Sequence, residues 1–462
     1  MIDRSLSRRA FLRATGTVAA SLALARLEIG CGEHPAADDV VATDGTSEVP
    51  SYRGWEDLYR HQWTWDRIAR GTHTMTNCVS GCAWNLYMKE GIVWREEQAA
   101  PYAASAPGLP DFNPRGCQKG ACGASLQYSP SRIRYPLRRV GARGEGHWER
   151  VTWDEALATV ATAIVDALAS RGPEAVLCEL GPNIGAGPNS AAPLRFFRLL
   201  GAHATDSMAQ IGDLSLGGTI TLGNGHPCGS SDDWWRSSLL VLWAFNPSAT
   251  RIPDAHFLWE ARYRGAEVVV VAPDLNASAI HADLWMSPRP GTDAALALAA
   301  AQVIVAEKLY DAAYVAEQTD LPLLVRTDTG RFLREADLRE GGADTGFYVW
   351  DGRRRAPAPA PGRGGSERRD IGALAIDLEF AGTVPIAGRP VPVRTVFGLL
   401  REQLEREHRP EQAAAVTGVS AAVVRRFARR LAAAPAALIL SPWGQCKFLH
   451  GDLAPRAQIL LV

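Results

Sequence analysis

The sequence has no excess of charge of either sign. It contains 49 lysine and arginine residues against 50 aspartate and glutamate residues, so its formal net charge is −1. Because nucleic-acid-binding proteins attract phosphates through clustered basic residues, we predict no nucleic-acid partner. The apolar fraction of 47% is ordinary and indicates globular domains with a sizeable core.

The sequence also lacks an apolar run that would cross a bilayer, which needs about 20 residues. The run near the N-terminus, residues 17–25, is shorter and follows Arg8 and Arg9. This combination is typical of a twin-arginine export signal, with a basic amphipathic helix as the alternative. The signal predicts a periplasmic protein that folds around a cofactor before export. Cys31 suggests a lipid anchor, but Glu28 stands where an aliphatic residue is expected, so we predict no lipidation.

Cysteine is scarce, and half of the eight cysteines stand close together. Cys78 and Cys82 form a C-x3-C pair, His73 precedes the pair, and Cys117 follows in "RGCQKGAC". Thiolates are soft ligands that suit zinc or an iron–sulfur cluster. Zinc sites usually have close cysteine pairs on both sides, whereas a single distant third cysteine favours a cubane cluster held by two loops. Ordinary buried thiols are the alternative, and we interpret Cys122 as one of them.

From residue 151 onward the sequence has the pattern of an α/β fold. Thr152 and Glu155 form a predicted capping box for a helix that ends at Gly172. Three continuous apolar strands are predicted, at residues 175–180, 237–245 and 267–272. Such strands, separated by helices, indicate a doubly wound parallel sheet, in which ligands bind at the carboxyl ends of the strands. The segments "NPSAT", "PDLNAS" and "RPGTDAA" are therefore candidate ligand-binding loops.

Composition divides the chain into five predicted segments. They are an export signal and linker at 1–45, a cysteine-bearing domain at 46–140, an α/β domain at 141–350, a Pro/Gly/Arg-rich surface loop at 351–370, and a further α/β region at 371–462. The last segment ends inside the apolar run "ILLV", which predicts a truncated chain.

Three quoted stretches carry a family resemblance: "TNCVSGCAWNLYMKEGIVWREEQ", "NPRGCQKGAC" and "SRIRYPLRRVGARGEGHWERVTWDEAL". Together they resemble the molybdenum-containing catalytic subunits of the dimethyl sulfoxide reductase superfamily. Within it, they are similar to the branch of respiratory nitrate, selenate and chlorate reductases, dimethyl sulfide dehydrogenase, ethylbenzene dehydrogenase and steroid C25 dehydrogenase. The resemblance implies a small N-terminal iron–sulfur domain, doubly wound domains that bind a pterin dinucleotide, and a C-terminal closing domain that this chain lacks.

The resemblance also implies the metal ligands. One [4Fe–4S] cluster would be bound by His73, Cys78, Cys82 and Cys117, although four residues separate His73 from Cys78 where the family often has three. The protein ligand of molybdenum would be Asp213 in "MAQIGDLSLGG"; without the family, this aspartate reads as a helix N-cap.

The implied cofactor is molybdenum bound by two pterins, each of which carries a guanosine diphosphate. Residues matched to its binding segments are Lys119 (between cluster and pterin, or else a surface lysine), Asn246, Asp274, Gly291, Thr292 and Asp293. Gly291 would let the backbone approach a phosphate, and Thr292 would cap a helix whose N-terminus faces that anion. Lys447 is the candidate catalytic side chain, with His450 beside it, and plain packing is the alternative for both.

The resemblance implies oxygen-atom transfer or hydroxylation by water-derived oxygen at molybdenum. Electrons would pass through the cluster to an iron–sulfur subunit and a haem b subunit, after export by the twin-arginine machinery with a dedicated chaperone. The wording of several stretches, such as "IPDAHFLWEARYRGAEVVVV", slightly favours hydrocarbon or steroid hydroxylation. The alternatives are a respiratory oxyanion reductase and a non-catalytic electron-relay homologue that lacks molybdenum.

Overall fold

The computed structural model describes most of the chain after residue 64. The described residues are 65–72, 82–99, 106–112, 116–179, 188–205, 215–223, 229–361, 372, 374–441 and 444–462. They form two compact units, Met1–Gln210 with Thr250–His256, and Ile211–Ala249 with Phe257–Val462. The predicted export signal lies outside the described residues. Within them, no helix has both the length and the apolar character needed to cross a membrane.

The first unit begins with a three-stranded antiparallel sheet in the order β1-β2-β3. The strands of the first unit in chain order are β1 Arg67–Thr72, β2 Ala83–Lys89, β3 Ile92–Gln98, β4 Leu137–Arg139, β5 Trp148–Arg150, β6 Leu177–Cys178 and β7 His203–Ala204. Its helices are α1 Gln118–Ala121, α2 Gly123–Gln127, α3 Trp153–Arg171 and α4 Pro188–Leu199. Strands β2 and β3 meet in a two-residue turn at Glu90 and Gly91, which both have positive φ, as a tight hairpin requires.

The capping box predicted for α3 is confirmed. The hydroxyl of Thr152 accepts the backbone N–H of Glu155 at 3.2 Å, and the carboxylate of Glu155 accepts the N–H of Thr152 at 2.8 Å. The helix ends before Gly172, whose φ of 88° stops a right-handed helix. The strand predicted at 175–180 is shorter than expected. It consists of Leu177–Cys178, which pairs in parallel with β7 and joins no larger sheet among the described residues.

The second unit is built on a four-stranded parallel sheet in the order β10-β9-β8-β17. Its strands are β8 Leu239–Trp243, β9 Glu267–Val271, β10 Leu284–Met286, β11 Leu324–Arg326, β12 Arg331–Phe332, β13 Tyr348–Asp351, β14 Ala356–Pro359, β15 Ala381–Ile386, β16 Arg389–Thr395 and β17 Ala437–Leu440. Every residue of β8 is buried, which explains its continuous apolar sequence. The doubly wound parallel architecture is confirmed, since all four strands are parallel. Strands β9 and β10 follow β8 on one side, whereas β17 lies on the other side of β8.

Helices cover this sheet. Those that follow residue 210 are α5 Leu216–Leu222, α6 Ser231–Arg236, α7 Pro247–Thr250, α8 Ala255–Tyr263, α9 Asp293–Ala306, α10 Ala312–Gln318, α11 Glu335–Leu338, α12 Val396–Glu407, α13 Pro410–Thr417, α14 Ala421–Ala433 and α15 Leu453–Ile459. One core joins alternate residues of the strands, such as Val241 and Trp243, to α9 and α14. Phe427 of α14 lies fully buried with its ring edge-on to Trp243, at a centroid distance of 6.1 Å.

A second, antiparallel sheet in the order β12-β11-β16-β15 was not predicted. Its β15–β16 hairpin turns at Ala387 and Gly388, both with positive φ. Part of the predicted loop at 351–370 is also a strand, because β14 pairs with β13. The "APAP" sequence permits this pairing because the prolines alternate with alanines, whose N–H groups remain available as donors. Just after the strand, Ala360 donates its N–H to the carbonyl of Phe347.

A buried carboxylate organises the β13–β14 turn. Asp351 is 1% exposed, and its Oδ1 accepts N–H groups of Arg353, Arg354 and Ala375. Burial raises the pKa of the Asp351 carboxyl, but these N–H groups outweigh burial and hold its pKa below the ordinary value. The stabilisation is therefore complete above about pH 4 and is lost as the pH falls through the lowered pKa.

We expect Asp351→Ala to lower the thermal midpoint of unfolding by several degrees, because three N–H groups lose one acceptor. Asp344→Ala is the matched control, since the Asp344 side chain is 80% exposed. The expected difference between the two variants in thermal denaturation should shrink at acidic pH. Equal midpoints at neutral pH would contradict this role of Asp351.

Candidate functional site

Two predicted cluster ligands lie in segments that pack on one tryptophan. Cys82 is buried directly before β2, and Cys117 occupies the N-cap position of α1. The ring of Trp84, which is 2% exposed, packs against Gly116 and Gly120, where it leaves no space for a side chain. A Cβ atom would lie 2.7 Å from its ring at Gly116 and 2.5 Å from it at Gly120. The missing side chains therefore let Trp84 hold the two cysteine segments together.

Hydrogen bonds fasten the segment after Cys117 to the same sheet. Glu96 of β3 accepts the N–H of Ala124 at 2.9 Å, and the hydroxyl of Tyr128 accepts the N–H of Val93 at 3.1 Å. Lys119 lies on α1 with an exposed side chain. The arrangement suits a site built from two loops on one rigid support.

His73 and Cys78 lie outside the described residues, so the full ligand set stays a prediction. Within the described part of the chain, no three histidine, cysteine or acidic side chains converge as a metal site. Cys122 is exposed, so it does not have the predicted burial of a structural thiol.

The second predicted site lies at the carboxyl ends of the parallel strands. Strand β8 is followed by β9 on one side, whereas its other neighbour, β17, comes from far along the chain. In sheets of this kind ligands bind in a crevice at such a change in strand order, so we place the candidate ligand crevice between the ends of β8 and β17. Ala244, directly after β8, has a φ of 54°, a strained value for a residue with a side chain.

Polar side chains follow β8 and β9. The Oδ1 atom of Asn246 accepts the hydroxyl of Ser278 at 2.8 Å, and the Ser278 hydroxyl is fully buried 3.0 Å from that of Ser248. This contact fixes the Asn246 amide with its Nδ2 turned away from Ser278. Asp274 follows β9 and is exposed, so its carboxylate is accessible to a ligand donor.

The glycine loop before α9 has the backbone form predicted for it. Gly291 has a φ of 79°, and a Cβ atom there would lie 3.2 Å from the ring of Phe448. Thr292 is the N-cap of α9, as predicted, but the expectation that its side chain caps the helix is wrong. The Thr292 hydroxyl instead donates to the carbonyl of Arg289 at 2.6 Å. The first N–H groups of this 14-residue helix thus have no side-chain cap, which suits an anion.

Asp293 supports the crevice rather than standing free in it. Its Oδ1 accepts the indole N–H of the fully buried Trp243 at 2.8 Å. The carbonyl of Trp243 in turn accepts Nε2 of Gln445 at 3.1 Å. The ends of β8, α9 and the turn after β17 are therefore joined by two hydrogen bonds.

The segment after β17 carries the predicted catalytic lysine. Lys447 ends a short 3-10 turn, Gln445–Lys447, and its side chain is exposed, as is that of His450. His450 has a φ of 54°, and Gly451 packs so closely on the backbone of Cys446 that a Cβ atom would lie 2.6 Å away. The turn is thus held tightly, with Gln445 buried and the side chains of Lys447 and His450 exposed.

Asp213 lies outside the described residues, but the helix after it is described. That helix, α5, is capped by Ser215, whose hydroxyl accepts the N–H of Gly218 at 3.1 Å. Ser215 is thus the N-cap of this helix, and both predicted roles of Asp213, metal ligand and N-cap, fall on a residue outside the described ones. A Cβ atom on Gly217 would clash with the carbonyl oxygen of Asp452. This close approach brings the segment after Asp213 against α15.

These groups fit a dinucleotide in the crevice. Backbone N–H groups at the start of α9 suit a phosphate, and the carboxylate of Asp274 suits ribose hydroxyls or ring N–H groups. Gln445 adds a buried acceptor, because its side-chain Oε1 has no hydrogen-bond partner among the described residues. The fold is that of a doubly wound α/β protein, and the polar groups at its switch point fit a nucleotide-type ligand.

Comparison with known proteins gives the family. The molybdopterin oxidoreductase family is matched over residues 132–447, which include every described residue of the crevice named above except those after Lys447. The chain belongs to the molybdopterin oxidoreductase family.

Three curated relatives are similar over most of the chain. The alpha subunit of dimethylsulfide dehydrogenase from Rhodovulum sulfidophilum is 43% identical over 91% of this chain and 46% of its own length. Chlorate reductase subunit alpha from Ideonella dechloratans is 43% identical over 89% of this chain and 44% of its own length. Respiratory nitrate reductase subunit alpha from Haloferax mediterranei is 40% identical over the whole chain and 48% of its own length. The chain thus spans about half the length of these relatives.

A solved structure supports the fold. Acetylene hydratase from Pelobacter acetylenicus matches with a TM-score of 0.53 and 22% identity over 85% of this chain and 43% of that one.

Sequence reasoning missed four residues of these sites: Trp84, Trp243, Ser278 and Gln445. Trp84 and Gln445 stand inside stretches that also contain predicted ligands, "CAW" and "GQCK". Ser278 likewise ends the candidate loop "PDLNAS". Proximity to predicted ligands was the signal for these three residues, because their roles depend on contacts between distant segments.

Proposed function

We propose that this chain is the cofactor-binding part of a molybdenum oxidoreductase catalytic subunit that reduces an oxyanion such as chlorate or nitrate. The observation that carries the proposal is the crevice between β8 and β17, whose predicted cofactor residues fall within the matched family region. Two of the relatives named above are oxyanion reductases. These relatives favour oxyanion reduction over hydrocarbon or steroid hydroxylation.

The cofactor proposed is molybdenum with two pterin guanine dinucleotides. When bound, it would supply oxygen-atom exchange with the substrate, and a [4Fe–4S] cluster would carry the electrons singly. Gly291 and the start of α9 would hold a phosphate, Asn246 and Asp274 would bind ribose or guanine, and Asp213 would be the metal ligand. Lys447, exposed beside the crevice, would attract an anionic substrate by its positive charge.

The cluster proposed is bound by His73, Cys78, Cys82 and Cys117. Trp84 would exclude water from the two cysteine segments that it joins. Lys119 would place a positive charge two residues after Cys117 and stabilise the reduced cluster.

Partners and location follow from the relatives and the signal. The relatives are alpha subunits, so we propose an iron–sulfur electron-transfer subunit as partner and a haem b subunit beyond it. The twin arginines support export by the twin-arginine machinery, with a dedicated chaperone, to the periplasm.

A second candidate is oxidation of a small organic sulfide, which the dimethylsulfide dehydrogenase relative supports. Both candidates use the same oxygen-atom transfer in opposite directions. They differ in the charge of the substrate, so Lys447 should matter for an oxyanion and little for a neutral sulfide.

The test is anaerobic purification from the native operon, followed by metal, nucleotide and activity measurements. We expect molybdenum and guanine nucleotide, and oxidation of reduced viologen with chlorate, nitrate or selenate. Lys447→Gln should raise KM for the oxyanion several-fold with a smaller change in kcat. Activity with dimethyl sulfide alone would favour the second candidate, turnover of hydrocarbons or sterols would favour hydroxylation, and iron without molybdenum would show an electron-relay homologue.

A further inference from the structure

Gln445 is a buried residue whose side-chain amide has a hydrogen-bond partner for its nitrogen but not for its oxygen among the described residues. The residue is 5% exposed and lies in the turn that follows β17. Its Nε2 donates to the carbonyl of Trp243 at 3.1 Å, and its Oε1 has no partner among the described residues. A buried acceptor without a donor is unfavourable, so the protein retains an incomplete hydrogen bond here.

The orientation of this amide is fixed by its neighbour. Trp243 presents a carbonyl oxygen, which accepts hydrogen bonds only, so the NH2 group of Gln445 must face it and the oxygen must face away. Rotating the amide by half a turn would place two acceptors against each other. The contact with Trp243 therefore fixes the amide so that Oε1, and not Nε2, is the atom without a partner among the described residues.

The position of Gln445 coincides with the ligand crevice. Trp243 is the last residue of β8, and Gln445 follows β17, so the bond joins the two strand ends at the change in strand order. Asp293 holds the indole of the same tryptophan at the start of α9. Oε1 is therefore buried near the carboxyl ends of β8 and β17, where sheets of this kind bind their ligands.

We propose that Gln445 is a cofactor-contacting residue, whose Oε1 accepts a hydrogen bond from an N–H group of a pterin or guanine ring. The inference rests on the proposed function, since it requires a pterin dinucleotide in the crevice. Both rings carry an amino group and a ring N–H on one edge, so both provide the donor that the structure lacks. Gln445 thereby links the cofactor to the end of β8 and, through Trp243, to α9.

The test compares Gln445→Met with the unchanged protein, both purified from the native operon and both also prepared without cofactor. Methionine keeps the volume of the side chain but offers neither a donor nor a strong acceptor. We expect roughly threefold to tenfold weaker retention of the cofactor, as expected for one buried hydrogen bond. The thermal midpoint should fall in both forms, because Trp243 loses the donor Nε2 of Gln445, and it should fall further in the loaded protein, because the bond to the cofactor is lost as well.

Gln302→Met shows what a purely structural glutamine does. Gln302 is 8% exposed, and its Nε2 donates to Glu405 at 2.8 Å, so its loss should lower both midpoints equally. The same equal loss for Gln445→Met would overturn the proposal. If the unchanged protein itself contains no guanine nucleotide, the proposed function fails, which is a different result from an unaffected variant.

A structure of the loaded protein provides a second measurement that needs no variant. An N–H donor at about 2.7–3.2 Å from Oε1 would support the proposal, and its identity would show whether guanine or pterin is the partner. A water molecule alone at that position, with both rings elsewhere, would overturn it.

Discussion

Replacing Gly120 by alanine should remove the proposed iron–sulfur cluster from the purified protein. The new Cβ atom would lie 2.5 Å from the indole of Trp84, which is 2% exposed. Overpacking of this kind costs about 1–3 kcal/mol, and here the strain falls between the segments of Cys82 and Cys117. We expect a loss of about four irons per chain and of the cluster's electron paramagnetic resonance signal.

Two further variants separate this effect from general damage. Gln118→Ala changes an exposed residue of the same short helix and should keep the cluster. Adding Trp84→Leu to Gly120→Ala removes the clashing ring and should restore part of the iron, because neighbouring substitutions are not additive. Full iron content in Gly120→Ala would show that Trp84 does not position the cysteine segments.

The parallel strands were predictable because burial on both faces leaves a continuous apolar run. "LLVLW" and "EVVVV" are such runs, and the strands occupy those residues. The α3 capping box was equally visible, since its two partners are three residues apart. Local chemistry thus determined where these elements begin and which class of fold they form.

The antiparallel sheet and the neighbour of β8 were less predictable from the sequence. Strand β17 pairs with β8 across almost two hundred residues, and no local pattern encodes that choice. The β15–β16 hairpin did leave a signal, the two-residue turn "AG", which is weaker than the usual Asn-Gly. Strand β14 was not predicted because of its prolines, which cannot donate a hydrogen bond to a neighbouring strand and therefore count against a strand.

In the candidate site, too, local patterns revealed some residues, whereas contacts between distant segments determine what those residues do. Gly291 and Asp293 were found from a turn followed by a helix, but the function of Asp293 depends on Trp243, which is far away in the sequence. The prediction for the Thr292 side chain was wrong because its hydroxyl bonds backward to Arg289 instead of forward into the helix. Oε1 of Gln445 has no hydrogen-bond partner among the described residues, and a sequence cannot reveal such an acceptor, since it is defined by the absence of a neighbour.

The second large effect is expected for Gly217→Ala. Gly217 lies one residue into α5, and a Cβ atom there would overlap the backbone carbonyl of Asp452 and approach Cγ of Arg456 to 3.1 Å. A carbonyl at the start of a helix cannot rotate away as a side chain can, so the two helices must separate. We expect a loss of stability of about 3 kcal/mol, at the upper end of the range for overpacking.

The consequence for the cofactor should exceed the loss of stability. The chain before α5 carries Asp213, the proposed metal ligand, and the chain before α15 carries Lys447 and Gln445. Separating α5 from α15 therefore moves the proposed ligand relative to the turn that lies at the crevice, and molybdenum content should fall by most of its value. Thr219→Ala, an exposed position on the same helix, should retain both molybdenum and stability. If Gly217→Ala lost stability but kept its molybdenum, Asp213 would not depend on this helix contact, and its proposed role as the metal ligand would lose its structural support.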